Sequence, residues 1–381
     1  MRNLHLDALR GYCLLVMTID HLHVYGLIRV TSQTFGFFGA AEGFILISGL
    51  VAGSYYPRLA ERSGEAAMTE RAVRRARDIY LTHVLLFALM LGAAVLLLPR
   101  HPASTQLLEN HDWVHTPRPL TTLLLAATLL VQPTNFDILP FYALMMLLVP
   151  LLVRSWKARR AGWVLSLSGG LWLLSQPGVD ISPHLPVWVD LGTFNFFAWQ
   201  FLFVCGLTLG CLHRSQAAGA WFDSTRTWAL VLPLFGLLFV LSHAPIIPGA
   251  GFVDLRAAHS WLVAKQTLGP LRIFDFGLFA YLVAQVFNRY GPRLEKTLLH
   301  RYLRFLGQHS LQVFAWSILV CYAVPHSYKP LGVMGFRGAQ IALALIGVAT
   351  SIIPAWLHAI YRERLLARAA PPRVELSQRA S

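Results

Sequence analysis

Two ionisable residues near the amino terminus share one face of an apolar segment. Arg10 and His21 are eleven positions apart in LDALRGYCLLVMTIDHLHVYG, residues 6–26. In an α-helix this separation is three turns plus about 20°, which places the two side chains about 16 Å apart along the axis. Ionisable groups deep in a bilayer cost roughly 2.5 to 3.5 kcal/mol on insertion scales, so they are rare without a function. Histidine deprotonates hydroxyls near neutral pH and arginine binds phosphate or carboxylate, so this pair favours proton transfer beside an anionic ligand.

A third ionisable residue, Glu42, lies in the next apolar segment, FFGAAEGFILISGLVAG at 37–53. Its neighbours are Gly and Ala, small residues that let helices approach closely. A buried carboxylate needs a partner, and the first helix is predicted to supply it. A carboxylate beside a histidine fixes its tautomer, so the three residues together predict an acid–base site. The structural alternative is that Arg10 snorkels to the bilayer surface and His21 only ties two helices together.

The elements that must position these residues are membrane helices. The chain of 381 residues is 56% hydrophobic and 13% charged, with a mean hydropathy of +0.54, whereas a soluble domain is nearer 25% charged. This composition predicts an all-α polytopic membrane protein with one integral-membrane domain at 1–361 and a disordered cytoplasmic tail at 362–381. The net charge of +14 comes from arginines in short loops, which set topology, and does not indicate nucleic-acid binding.

About ten transmembrane helices are predicted, together with one short re-entrant or interfacial segment at 120–131. This segment has twelve residues, fewer than the roughly 20 that a crossing needs. The predicted spans lie at 7–29, 36–56, 79–98, 137–153, 162–176, 195–212, 227–245, 271–288, 305–325 and 338–361.

The distribution of Lys and Arg predicts that both termini are cytoplasmic. The positive-inside rule places basic loops in the cytoplasm. The basic segments are 57–78 with six such residues, 154–160 with four, 289–304 with five and the tail after 361 with five, whereas 177–194 has none and 99–119 has two. If 99–119 is periplasmic and 154–160 is cytoplasmic, only one span can lie between them, so 120–131 is predicted not to cross the membrane.

The first two segments resemble the signature of membrane acyltransferases of the acyltransferase-3 type. Arg10 and His21 match its R-x10-H pattern, and FILISG at 44–49 is similar to the FFVISG-like second span of many members. A closer resemblance is to the OpgC family, which succinylates osmoregulated periplasmic glucans. The matching blocks run in order from residue 6 to 317 and are LDALRGYCLLVMTIDH, AAEGFILISGLVAG, RAVRRARDIYLTH, NFDILPFYALMMLLVPLLV, FNFFAWQFLFVCGL and LGQHSLQVFAWS.

The resemblance implies an O-acyltransferase of the bacterial inner membrane. It would move an acyl group, expected to be succinyl, from cytoplasmic acyl-CoA to hydroxyls of a periplasmic glucan or related glycan, among membrane lipids and without a metal. His21 is the expected general base and Arg10 the anion anchor on the cofactor side. Glu42 occupies the place where many acyltransferase-3 proteins carry an aspartate, and is expected to orient His21 or balance its charge. Direct transfer and passage through an acyl-histidine both remain open.

Four arginines in RAVRRARDIY, at 71–80, are candidates for binding the phosphates of CoA. Guanidinium groups bind phosphate through parallel hydrogen bonds. The alternative is that they only orient the helices. These candidates are Arg71, Arg74, Arg75 and Arg77.

Five residues at the predicted outer ends of spans are candidates for substrate binding. Asn135 and Asp137 lie in QPTNFDILPFY, where prolines interrupt the helix, as at membrane sites that line a cavity. The alternative is that they cap a helix. Asn195, Trp199 and Gln200 lie in FNFFAWQ, where tryptophan either stacks on sugar rings or belongs to an interfacial aromatic belt.

A transporter is the main alternative function, because buried charges and interrupted helices also mark transport pathways. The sequence has no pair of interrupted helices in two halves, as inverted repeats would leave. A glycan-binding subunit without catalysis would be expected to lack His21, which is present.

Overall fold

Twelve α-helices, without a strand, make up the part of the chain that the structure describes. The computed structural model describes residues 3–22, 24, 26–27, 31–97, 119–129, 132, 135–176, 194–212, 225–243, 260–328 and 330–369. In chain order the helices are α1 Leu4–His21, α2 Ala40–Leu97, α3 Pro119–Ala127, α4 Ile138–Lys157, α5 Ala161–Leu174, α6 Phe196–Leu212, α7 Thr225–His243, α8 Pro270–Leu294, α9 Leu298–Gln308, α10 Ser310–Ser327, α11 Arg337–Ala349 and α12 Ile352–Ala369. The all-α prediction is confirmed for these ranges.

Five segments of the described chain are long and apolar enough to cross a bilayer. They are Ala40–Ala93, Ile138–Lys157, Arg226–His243, Pro270–Leu294 and Arg337–Leu365. These segments support the prediction of a membrane protein, but they do not confirm the predicted count of about ten spans. The nine described residues of α3 span about 13.5 Å, and the re-entrant or interfacial character of 120–131 stays a prediction.

The arginine-rich segment 57–78, predicted as a loop, is helical. It belongs to α2, which is interrupted only at Gly64 with φ 86° and ψ 164°. Glycine takes this backbone conformation without steric cost. Arginine is a good helix former, so a run of arginines can indicate the cytoplasmic side of the membrane and still be helical.

Two predicted spans are divided, and the predicted tail is partly helical. The span 305–325 is divided at His309, between α9 and α10, and the span 338–361 is divided at Thr350 and Ser351, between α11 and α12. Because α12 continues to Ala369, residues 362–369 of the predicted disordered tail are helical. Residues 370–381 lie outside the described ranges.

α1 and α9 cross so closely that their backbones are in contact. A Cβ atom on Gly11 would lie 1.9 Å from the carbonyl oxygen of Leu303, and one on Gly307 would lie 1.8 Å from that of Asp7. Only glycine at both positions allows the two backbones to touch. At its start, α1 is capped by Asn3, whose side chain accepts hydrogen bonds from two backbone N–H groups.

A second pair of helices, α2 and α6, crosses at close range where four glycines meet: Gly49 and Gly53 of α2, and Gly206 and Gly210 of α6. A Cβ atom on Gly53 would lie 1.9 Å from the carbonyl oxygen of Leu207, and one on Gly210 would lie 2.2 Å from that of Leu50. The connection from α1 to α2 is tied to α8, because the Asp275 carboxylate accepts a hydrogen bond of 2.7 Å from the Phe37 N–H. This hydrogen bond holds the residues before α2 against the first part of α8.

Candidate active site

A cavity of about 1110 Å³ lies among the ends of several helices. Its walls are the last turn of α1, the first turn of α2, the residues before α4, the end of α7, the start of α8 and the middle of α10. Four of the predicted site residues line it: His21, Glu42, Asn135 and Asp137. Residues that are far apart in the sequence thus meet at one polar cavity.

His21 is half-buried in the last turn of α1. The helix ends directly after it, where the Leu22 N–H donates to the carbonyl oxygen of Thr18 at 3.2 Å. The carboxyl end of a helix favours a positive charge. His21 therefore stands at a helix end whose dipole is compatible with a positively charged side chain.

Glu42 is fully buried, and its charge partner is Arg272 of α8. The prediction that the first helix supplies this partner is therefore wrong. The other carboxylate oxygen accepts from the Gly39 N–H at 3.0 Å, the contact that a capping glutamate makes at a helix start. Arg272 also donates to the carbonyl oxygen of Val263 at 3.2 Å. Because Glu42 and His21 line the same cavity, an orienting role for Glu42 stays a prediction.

Asn135 and Asp137, directly before α4, both line the cavity. Asn135 has a φ of 72°, a conformation in which Asn is enriched and which recurs at functional sites. Its buried Oδ1 atom has no hydrogen-bond partner among the described residues. Asp137 makes no capping hydrogen bond to α4, so the structure does not support the capping alternative for it.

Asp20 adds a further carboxylate to the cavity, next to His21. Its carboxylate interacts with the side chains of Thr31 and Gln33. Its buried Oδ1 atom has no hydrogen-bond partner within the described ranges. Asp20 and Asn135 thus each bring an oxygen that would accept a hydrogen bond from a ligand or from water.

Asn195, Trp199 and Gln200 are not brought to the cavity. Asn195 caps α6 by accepting from two backbone N–H groups at 3.0 and 3.3 Å. Trp199 is 0% exposed and donates to the carbonyl oxygens of 265–266. Gln200 joins α6 to α5 through two hydrogen bonds with Ser168, of 2.6 and 2.9 Å. The observed role of each is structural, and the buried Trp199 ring has no face open to a sugar.

Arg10 lies about three turns from His21 and does not line the cavity. It is buried, and its Nη2 donates to the Ser310 hydroxyl at 2.8 Å. Its guanidinium lies 5.7 Å from the centre of the Phe44 ring. The snorkelling alternative is therefore wrong, because the guanidinium points into the helix bundle.

The four predicted CoA-binding arginines stand on one stretch of α2 and differ in their surroundings. Arg74 pairs with Glu70 and Arg77 with Asp78, and both pairs are exposed. Exposed pairs of this kind are weak and can exchange partners. Arg71 is exposed, and Arg75 is half-buried and interacts electrostatically with His358 of α12 and Tyr56 of α2.

Besides Asp20, three ionisable cavity residues were not among the predicted site residues: His243, Lys265 and Arg272. The Nδ1 atom of His243 lies 2.9 Å from the carbonyl oxygen of Phe239. Because a carbonyl oxygen only accepts hydrogen bonds, Nδ1 is the donor and carries the proton. Lys265 and Arg272 lie near the start of α8, which the predicted topology places on the periplasmic side. Cations there do not serve the positive-inside rule, and this was the signal that could have identified them.

These features define an all-helical membrane protein with a polar cavity that unites histidine, carboxylate and cationic side chains. A model of the family described as OpgC protein matches residues 2–363, and the chain belongs to this family. No match was found among curated proteins or among solved structures. Membership of the family implies an acyltransferase-like role with a glucan acceptor.

Proposed function

We propose that this protein is an O-acyltransferase of the bacterial inner membrane. It moves a succinyl group from cytoplasmic acyl-CoA to hydroxyls of a periplasmic glucan or related glycan. The observation that carries the proposal is that His21, Asp20, Glu42, Asn135 and Asp137 line one cavity. The chain's membership of the OpgC family supports it.

His21 acts as the general base. It removes the proton from the acceptor hydroxyl as the oxygen attacks the thioester carbonyl carbon. A C–O bond forms, the C–S bond breaks, and the departing CoA thiolate takes up the proton from the imidazolium. The guanidinium of Arg272 provides a permanent positive charge beside the negative charge that develops on the carbonyl oxygen.

The acceptor binds through its hydroxyl groups to oxygens of Asp20, Asn135 and Asp137. A buried acceptor atom without a partner costs about 1 to 3 kcal/mol, and a sugar hydroxyl can satisfy it. The unpaired Oδ1 atoms of Asp20 and Asn135 make this binding favourable.

The donor enters from the opposite end of α1. Its phosphates bind near Arg71 and Arg75, while Arg74 and Arg77 exchange their exposed acidic partners for phosphate. Arg10 anchors the donor between these arginines and the cavity, and lies about three turns from the reacting atoms. The thioester then lies beside His21.

Substitution of His21 tests this mechanism. Transfer of succinyl from succinyl-CoA to a glucan oligosaccharide would be measured with purified protein in detergent, by mass spectrometry of the glucan. We expect His21→Ala to lower the rate by at least about 10²-fold, because a general base contributes 10² to 10⁴-fold. His326→Ala, on α10 outside the cavity wall, is the matched control and should keep the wild-type rate.

A wild-type rate in a well-folded His21→Ala protein would refute His21 as the base. His243→Ala separates the two histidines of the cavity. If His243→Ala abolishes transfer while His21→Ala preserves it, the base is His243.

A further inference from the structure

Lys265 brings a positive charge to the cavity. It lies in the turn between Ser260–Val263 and α8, and its side chain is half-buried. Its ammonium lies 5.6 Å from the centre of the Phe194 ring, which also lines the cavity. Within the described ranges this ammonium has no hydrogen bond and no ion pair. None of its three N–H donors is used by a described residue, and each can donate to a ligand oxygen.

The other permanent cation on the described cavity wall, Arg272, is already engaged. Its charge is balanced by the buried Glu42 carboxylate, and it also donates to a backbone carbonyl. A ligand anion competing for Arg272 would leave Glu42 without a partner, which is costly in a buried position. Lys265 has no ion pair or hydrogen bond within the described ranges, so the free carboxylate of a ligand gains more from Lys265 than from Arg272.

Lys265 is also electrostatically coupled to the reacting end of the cavity. It attracts the carboxylate of Asp20, the neighbour of His21 on α1. Asp20 and Asp137 would repel a ligand that carries its own carboxylate. Such a ligand is accepted only if its anionic end lies beside a cation, whereas an uncharged acyl group needs none.

We propose that Lys265 binds the free carboxylate of the transferred acyl group and thereby selects a dicarboxylic donor, such as succinyl, over acetyl. This inference rests on the proposed acyltransferase function. The carboxylate receives charge-assisted hydrogen bonds from the ammonium, while the Phe194 ring packs against the short methylene chain. Lys265 is thus a specificity-determining residue, and takes no part in proton transfer.

The discrimination between two donors tests this assignment. The kcat/KM values for succinyl-CoA and acetyl-CoA would be measured with one glucan oligosaccharide as acceptor, for the full-length wild type and its variants. We expect Lys265→Met to lower kcat/KM for succinyl-CoA by about 10- to 100-fold, the effect of losing a charge-assisted hydrogen bond. The value for acetyl-CoA should change by less than about 3-fold, which also reports that the variant is folded.

Two further variants serve as controls. Lys265→Arg keeps the positive charge and should retain most of the preference for succinyl. Lys296→Met removes a lysine that is exposed in the turn between α8 and α9, and should behave as the wild type with both donors.

The outcomes separate this inference from the proposed function. If the wild type transfers no acyl group from either donor, the proposed function fails and the inference with it. If the wild type transfers both, but Lys265→Met slows them equally, Lys265 serves the acceptor or the fold and the inference is overturned. A wild type that prefers acetyl-CoA overturns it as well and leaves the acyltransferase function intact.

Discussion

Glu42 and Arg272 form an ion pair whose members differ in access to water. The Glu42 side chain is 1% exposed and the Arg272 side chain 11%. Removal of Arg272 leaves a buried, unpaired carboxylate, which costs roughly 3 to 5 kcal/mol, whereas removal of Glu42 leaves a guanidinium that water in the cavity can solvate. We therefore expect Arg272→Gln to lower the free energy of unfolding by about 3 kcal/mol or more, and Glu42→Gln to lower it less. Unfolding of the purified protein in detergent, followed by intrinsic fluorescence, measures both.

The double variant Glu42→Gln/Arg272→Gln is the control for this prediction. Two amides of similar volume leave no buried charge, so the double variant should recover much of the stability that Arg272→Gln loses. Equal losses in the two single variants, with no recovery in the double variant, would contradict the argument from burial.

The sequence predicted Glu42, Asp137 and His21 as site residues of the cavity, but missed Asp20, His243 and both cations. Polar residues in or beside apolar segments are costly to insert into a bilayer, and this cost identifies them as candidates for a functional site. His21, Glu42, Asn135 and Asp137 are such residues. Lys265 and Arg272 were missed because cations at helix ends were interpreted only as topology signals, although these two lie at ends assigned to the periplasm. The pairing of Glu42 with Arg272 joins residues 230 positions apart, and no local pattern encodes such a contact.

The crossing of α2 with α6 depends on glycine because the two backbones touch. A Cβ atom on Gly53 would lie 1.9 Å from a backbone oxygen of α6, which cannot move aside as a flexible side chain can. We expect Gly53→Ala to lower the free energy of unfolding by about 1 to 3 kcal/mol, the usual cost of overpacking. The midpoint of thermal unfolding in detergent, compared with the wild type, measures this effect.

Gly92 provides a control in the part of α2 that follows the break at Gly64. A Cβ atom there would meet nothing within 4 Å. Gly92→Ala should leave stability unchanged or raise it by up to about 1 kcal/mol, because alanine favours the helix. A loss of stability at Gly92 as large as that at Gly53 would mean that the helix crossing is not the cause.

At the scale of the helices, the sequence located most apolar segments and misjudged several boundaries. α4, α7 and α8 begin within two residues of the predicted spans. The division at His309 carries no proline or glycine at the break itself, so hydropathy joined α9 and α10 into one span. The helical structure on both sides of Gly64 in 57–78 was missed because charge was interpreted as a loop signal, although arginine is compatible with a helix.

The molecule as a whole has two chemically distinct ends. The cavity with His21 and Glu42 lies at helix ends that the predicted topology assigns to the periplasm. Arg10 and the arginines of 71–77 lie towards the ends that it assigns to the cytoplasm. An acyl-CoA in the cytoplasm and a glycan in the periplasm could each reach the appropriate end, so the proposed transfer depends on this orientation.

The orientation of the segments around α3 tests the topology directly. α3 is too short to cross a bilayer, so 99–119 and 154–160 should face opposite sides, with the former in the periplasm and the latter in the cytoplasm. Single cysteines would replace His111, which lies outside the described residues, or Ala158, which is exposed in the turn between α4 and α5, in a variant without the four native cysteines. With intact inner-membrane vesicles of known orientation and a membrane-impermeant thiol reagent, we expect labelling at one position only, and at both after permeabilisation. Labelling of both positions from the same side would mean that 120–131 crosses the membrane. Every later helix end, including those near Lys265 and Arg272, would then lie on the opposite side from the one predicted.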